Sequence, residues 1–203
     1  MHASGYNGGP WRAGGDGYGD MGELATAIRE KGAEPGIWFR PLLNRDPAIP
    51  ASARLPGGCP DPSVPEVLDY LREDVRRLCA FGYRLIKHDF STYDLFGRWG
   101  FEMHPLVTGG GWHFHDRGRT GAEIVKQLYA ALREASAPSG AYILGCNTIG
   151  HLGAGLMHIM RTGDDTSGLG WERTRRPVSE HPSATDWDGL RAHRRPARMT
   201  RGR

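Results

Sequence analysis

Apolar positions along the chain follow two rhythms that take turns. Behind Asp20, a residue suited to an N-cap, Met21, Leu24, Ala25 and Ile28 recur at helical spacing, and Gly32 supplies a stop. Pro35-Gly36 punctuates, and Ile37-Trp38-Phe39 reads as a short apolar strand closed by Pro41. A second unit repeats the pattern. Ser63-Val64-Pro65-Glu66 reads as a capping box with proline in the first turn, and Val64, Val67, Leu68, Leu71, Val75 and Leu78 form one helical face. After Gly82, the run Tyr83–Phe90 reads as a strand. In a third unit Thr120-Gly121-Ala122-Glu123 is another capping box, Ile124, Leu128, Ala131, Leu132 and Ala135 make the stripe, and Ala141–Cys146 is the strand. A glycine-broken turn, His151–Gly155, then leads into Leu156–Arg161 as a fourth strand.

Helix alternating with short strand predicts a parallel α/β sheet. The strands read as continuously apolar, the pattern of strands buried on both faces. Long polar loops follow them, and α/β barrels build their sites on that side. Four strands fall short of the eight in a complete barrel of about 250 residues. The expected fold is therefore α/β, a partial (β/α)8 TIM barrel.

Composition adjusts this picture in three ways. The 203 residues include 30 glycines and 14 prolines, so loops are long and the core modest. Two loops stand out: the glycine-rich first twenty residues, carrying Tyr6, Trp11 and Tyr18, and the stretch from Gly97 to Gly118. No run approaches the roughly 18 apolar residues of a membrane span and the start is no signal peptide, so no membrane partner and a cytoplasmic location are expected. Cys59, Cys79 and Cys146 form no CxxC pair, which argues against a disulfide framework or a structural zinc.

The charge is unevenly placed. Residues 173–203 hold nine arginines against Glu180, Asp186 and Asp188, a surplus larger than the net charge of +3 for the whole chain, so the body is mildly acidic. From Pro177 to Arg203 the only large apolar residues are Val178, Trp187, Leu190 and Met199, without useful period. Residues 1–176 are expected to be the folded domain and 177–203 a disordered basic tail. No aromatic platform accompanies the arginines, so nucleic acid is not the expected partner.

Candidate chemistry gathers at two strand ends. Lys87-His88-Asp89 places a lysine and an aspartate two apart, hence on one side of a strand and, inside a barrel, toward the lumen. Arg161-Thr162-Gly163-Asp164-Asp165 places two carboxylates beyond another strand end. Two carboxylates at the C-terminal ends of barrel strands are what glycoside hydrolysis needs, one to attack or activate water and one to protonate the leaving oxygen. Surface ion pairs produce the same spacings. His113-Phe114-His115-Asp116 lacks a third ligand at defined spacing and reads as a loop feature, so neither metal nor cofactor is expected; Gly150–Gly155 is no dinucleotide fingerprint.

At these residues the sequence resembles a known family. Gly36-Ile37-Trp38-Phe39-Arg40-Pro41, Leu85-Ile86-Lys87-His88-Asp89-Phe90, Leu144-Gly145-Cys146-Asn147 and Arg161-Thr162-Gly163-Asp164-Asp165-Thr166 are similar to consecutive blocks of the melibiase-type α-galactosidases, glycoside hydrolase family 36 and its relatives. The resemblance spans roughly Asn7 to Arg175, in the order of barrel strands three to six. It implies a (β/α)8 catalytic barrel that cleaves terminal α-galactosides with retention, without metal or cofactor. It implies Asp89 as nucleophile and Asp165 as acid/base, with Asp164 the adjacent alternative. Trp38, Lys87, Cys146 and Arg161 match positions lining the sugar subsite, and Trp11, Trp99 and Trp112 are candidates for stacking on sugar. The blocks for the first two and last two strands have no counterpart here, and the text from Arg175 resembles nothing in the family. The expectation is a fragment of a longer enzyme.

Overall fold

The computed structural model describes residues 8–14, 17–97, 107, 109–146 and 148–161. Its elements are α1 (Met21–Glu30), β1 (Gly36–Phe39), α2 (Pro65–Ala80), β2 (Leu85–His88), α3 (Ser91–Phe96), α4 (Gly121–Ser136), β3 (Tyr142–Gly145) and β4 (Ile159–Met160). The strands form one parallel sheet in chain order β1-β2-β3-β4, with helical crossovers between the first three. Sequential parallel strands with crossover helices are the repeating unit of the (β/α)8 barrel.

Local chemistry accounts for the helix ends. The Asp20 side chain accepts from Gly22 N and Glu23 N at 2.8 and 2.9 Å, so α1 starts where the N-cap reading put it. At its other end Gly32 adopts φ +81°, the left-handed stop that only glycine enters cheaply. Thr120 and Glu123 close a full capping box on α4: Glu123 N donates to Thr120 Oγ1, and Thr120 N donates to Glu123 Oε2.

The box expected at Ser63–Glu66 does not form. Val64 is the N-cap of α2 and offers no side-chain acceptor. Ser63 has been recruited elsewhere: its hydroxyl accepts from Asp116 N, while its own N–H donates to Asp61 Oδ1. Asp61 Oδ2 also accepts from His115 N, so these two residues pin the 113–116 loop to the base of α2. Tertiary bonds outbid the local cap.

The helices bury their predicted stripes. α2 covers Val67, Leu68, Leu71, Val75 and Leu78, and α4 covers Ile124, Leu128, Ala131, Leu132 and Ala135. These two helices pack on each other and on the outward face of the sheet, where Ile37, Ile86 and Ile143 stand in register. Burial along each strand alternates, contrary to the expectation of two buried faces. Helix-facing Ile37, Phe39, Ile86 and His88 are buried, while Trp38 and Lys87 on the opposite face are half-buried. That second face carries the polar site.

Strand lengths also differ from the apolar runs. β2 stops at His88, two residues short of the apolar run, and Asp89-Phe90 turn into the short helix α3. β4 shrinks to Ile159–Met160 because the turn begun at Gly150 runs on through Leu156, held by Leu156 N and Met157 N donating to Gly153 O. The expected boundary at residue 176 and the arginine-rich segment beyond it lie outside the described residues.

Candidate active site

Register and pleat together decide what meets at the strand ends. Trp38, Lys87, Leu144 and Ile159 are partners across the four strands. Two positions further on, the same face holds Arg40, Asp89, Cys146 and Arg161, one at each strand's C-terminal end. Backbone bonds continue the ladder into this second row: Asp89 N donates to Phe39 O, Cys146 N to His88 O and Arg161 N to Gly145 O, at 2.8–2.9 Å. Sequence blocks 15 to 57 residues apart thus become neighbours on one surface.

Asp89 is the centre of this row and only 4% exposed. Its Oδ2 accepts from the Trp38 indole Nε1 at 2.9 Å and lies 3.3 Å from Lys87 Nζ. Its Oδ1 accepts from Phe90 N at 2.8 Å. Both oxygens are therefore occupied by donors, and a lysine balances the charge, which is the condition for burying a carboxylate at tolerable cost. Lys87 keeps 35% of its side chain exposed, so the site opens to solvent on the lysine side.

Cys146 stands on the neighbouring strand. Arg161 Nη1 donates to its sulfur at 3.5 Å. Burial, reinforced by the Asp89 charge, raises its thiol above the ordinary range despite Lys87 and Arg161, so it is a neutral packing and contact group rather than a thiolate. Of the six residues singled out from the sequence, Trp38, Lys87, Asp89, Cys146 and Arg161 come together here. Asp165, its neighbour Asp164, and Trp99 lie outside the described residues.

The stacking candidates divide. Trp11 is fully buried, with its ring 5.8 Å from Trp38 and 5.2 Å from Phe39, so it backs the site and cannot touch a ligand. Trp112 lines a cavity of about 410 Å³ together with Tyr93 and Asp94. Cys59 and Cys79 are free packing residues, and burial pushes the Cys59 thiol up to about 12. His113 and His115 belong to the loop at the base of α2; among the described residues no three metal-binding side chains come together.

The sequence pattern does not single out Arg40, Asp94 or His88, which stand beside or behind this row. Arg40 binds Asp94 through two parallel bonds and lies over the Phe90 ring, 4.3 Å from its centroid. The signal was present: Arg40 is two residues past Trp38 and shares its face. His88, between Lys87 and Asp89, points the other way into the helix layer. Complete burial pushes its imidazole down to about 4, with Asp89 opposing weakly.

No family model matches the chain, and no match is found among curated proteins. Among solved structures the chain is similar to an α-galactosidase from Thermus thermophilus. Against its complex with stachyose the TM-score is 0.50 at 23% identity, covering 77% of this chain and 34% of the other. Against its complex with p-nitrophenyl α-D-galactopyranoside the TM-score is 0.52 at 23% identity, covering 81% and 34%. The chain spans about a third of the length of these structures. Likeness at this level establishes the fold: the parallel α/β sheet is part of a TIM barrel.

Proposed function

We propose that this chain is part of a retaining glycoside hydrolase acting on terminal α-galactosides and carries both of its carboxylates, with β1 to β4 as barrel strands three to six. The observation that carries the reading is the Asp89 carboxylate, buried at the C-terminal end of a central parallel strand and held by Trp38 and Lys87 from the barrel side. Catalytic residues of such barrels stand at that end. The resemblance of four sequence blocks and the likeness to a barrel solved with galactosides both support it.

In the proposed mechanism Asp89 Oδ attacks the anomeric carbon as the bond to the leaving oxygen breaks, and Asp165 gives that oxygen a proton. Asp165 then takes a proton from water, whose oxygen attacks the same carbon and releases Asp89. Trp38 and Lys87 hold the carboxylate so that one face reaches the sugar, while Cys146 and Arg161 line the adjoining wall. The galactoside and water are the only reactants this chemistry needs.

The test is hydrolysis of an aryl α-galactoside by the chain and by Asp89→Asn, with the first-formed anomer read by proton NMR. The reading expects α-galactose first and loss of turnover in Asp89→Asn. Equal turnover by both, or β-galactose first, defeats it. A second reading is a piece of barrel that binds sugar weakly without turning it over. It is favoured by Tyr142 and Ile159, 56% and 48% exposed on β3 and β4. Saturable galactoside binding with no hydrolysis would support that reading over the first.

A further inference from the structure

Phe90 is the one non-glycine residue at positive φ among the described residues, at +64°. L side chains rarely adopt this backbone, and such strain persists only where surrounding structure enforces it. The Phe90 N–H, in the peptide plane shared with Asp89, meets Asp89 Oδ1 at 2.8 Å, a bond that neither Trp38 nor Lys87 gives, and the left-handed φ is the angle at which that plane joins the Phe90 ring and α3.

Three contacts enforce it. The Arg40 guanidinium lies on the Phe90 ring, 4.3 Å from the centroid. Asp94, in the first turn of α3, donates its backbone N–H to Phe90 O at 2.8 Å. The Asp94 carboxylate grips Arg40 through Nε–Oδ2 at 3.0 Å and Nη2–Oδ1 at 2.6 Å, with side chains only 17% and 6% exposed. The planar fork is matched on both oxygens, a geometry lysine does not reproduce.

We propose that Arg40 and Asp94 are a positioning pair for the reacting carboxylate, acting through the left-handed backbone of Phe90. The inference rests on Asp89 being that carboxylate. Asp94 fixes Arg40, Arg40 pins the Phe90 ring, and the pinned residue aims its N–H at Asp89. Neither member of the pair donates to Asp89, so the proposed effect runs through the Phe90 N–H.

The most direct reporter is the Trp38 indole N–H, bonded to the other oxygen of Asp89. In the ¹⁵N-labelled chain its NMR signal, assigned through Trp38→Phe, is compared between parent, Arg40→Met and the milder Asp94→Asn. Both variants are expected to shift it, Arg40→Met more. In the Arg40→Met background, Phe90→Gly and Phe90→Ala both remove the ring that packs on Trp38, and the glycine variant is expected to lie nearer the parent than the alanine one, because glycine enters the left-handed region freely. Where turnover is measurable, Arg40→Met lowers kcat by about 100-fold and leaves KM within about threefold, as misplacement of a reacting group does. An indole signal unmoved by Arg40→Met, or equal behaviour of the glycine and alanine variants, overturns the proposal. If the indole responds as expected while Asp89→Asn keeps full turnover, the positioning pair stands and the assignment of the nucleophile falls.

Discussion

Trp38 on β1 and Asp89 just past the end of β2, 51 residues apart, meet through one bond: the indole Nε1 donates to Oδ2 at 2.9 Å. Trp38 is itself held edge-on between Trp11, at 5.8 Å, and Phe90, at 6.2 Å. The donor is thus set by packing before any ligand arrives, which is what preorganisation of a charged group requires.

Trp38→Phe keeps most of that packing and deletes the donor. Bonds to charged groups contribute roughly 1.5–3 kcal/mol. The variant is expected to lose about 10- to 100-fold in kcat/KM on an aryl α-galactoside, with its unfolding transition still cooperative. Activity within twofold of the parent would mean Lys87 and Phe90 N alone suffice.

His88 gives an acid-sensitive term to stability. Its folded pKa is about 4, below the ordinary 6.5, so between these values the unfolded chain binds a proton that the folded chain refuses. Its contribution is present above about pH 6.5 and is lost as pH falls toward 4, by about 3 kcal/mol in total. Asp74, buried on α2 beside Arg77, has the opposite sign: desolvation lifts its carboxyl to about 6, so protonation stabilises the fold as pH falls through that value. His88→Phe preserves the edge contact with Tyr129, whose ring lies 5.5 Å away, and removes two ring nitrogens that have no hydrogen-bond partner. Its advantage over the parent in urea midpoint is expected to widen from pH 7 to pH 4.5. A constant difference would contradict a neutral buried imidazole.

The two capping motifs are expected to behave differently. Thr120→Ala breaks a formed box and costs about 1 kcal/mol. Glu66→Gln alters an exposed residue that caps nothing and is expected to stay within about 0.5 kcal/mol. Urea unfolding of both variants checks the contrast.

Gly145 is where β3, the 148–157 turn and β4 close on each other. A Cβ there would lie 2.9 Å from Thr148 Oγ1 and 3.0 Å from Met160 Sδ. Gly145→Ala is expected to cost about 1–3 kcal/mol and to displace β4. Gly150→Ala, where a Cβ meets nothing within 4 Å, is the matched control and should be nearly neutral in the same urea titration.

How far the sequence could be read follows from which interactions are local. The stripes of α1, α2 and α4 and the caps at Asp20 and Thr120 depend on residues within a few positions, and they appear as expected. Lys87 and Asp89 share a face because strand geometry dictates it. The Ser63 box failed because Asp61 and Asp116, the latter 53 residues away, compete for the same groups. Helix α3 was hidden because its entry depends on a left-handed phenylalanine, which no propensity favours. Trp11 lies in the core rather than at a sugar face, and a glycine-rich loop that also carries Tyr6 and Tyr18 gives no hint which of its aromatic side chains is drawn in.

The central claim is that Asp89 forms the bond to the sugar. Asp89→Gly, assayed on an aryl α-galactoside with and without sodium azide, tests it most directly, since azide fits the space left by the carboxylate and attacks the same carbon. The account predicts negligible turnover without azide, and recovery with azide that yields β-galactosyl azide. Undiminished hydrolysis by Asp89→Gly without azide would contradict it.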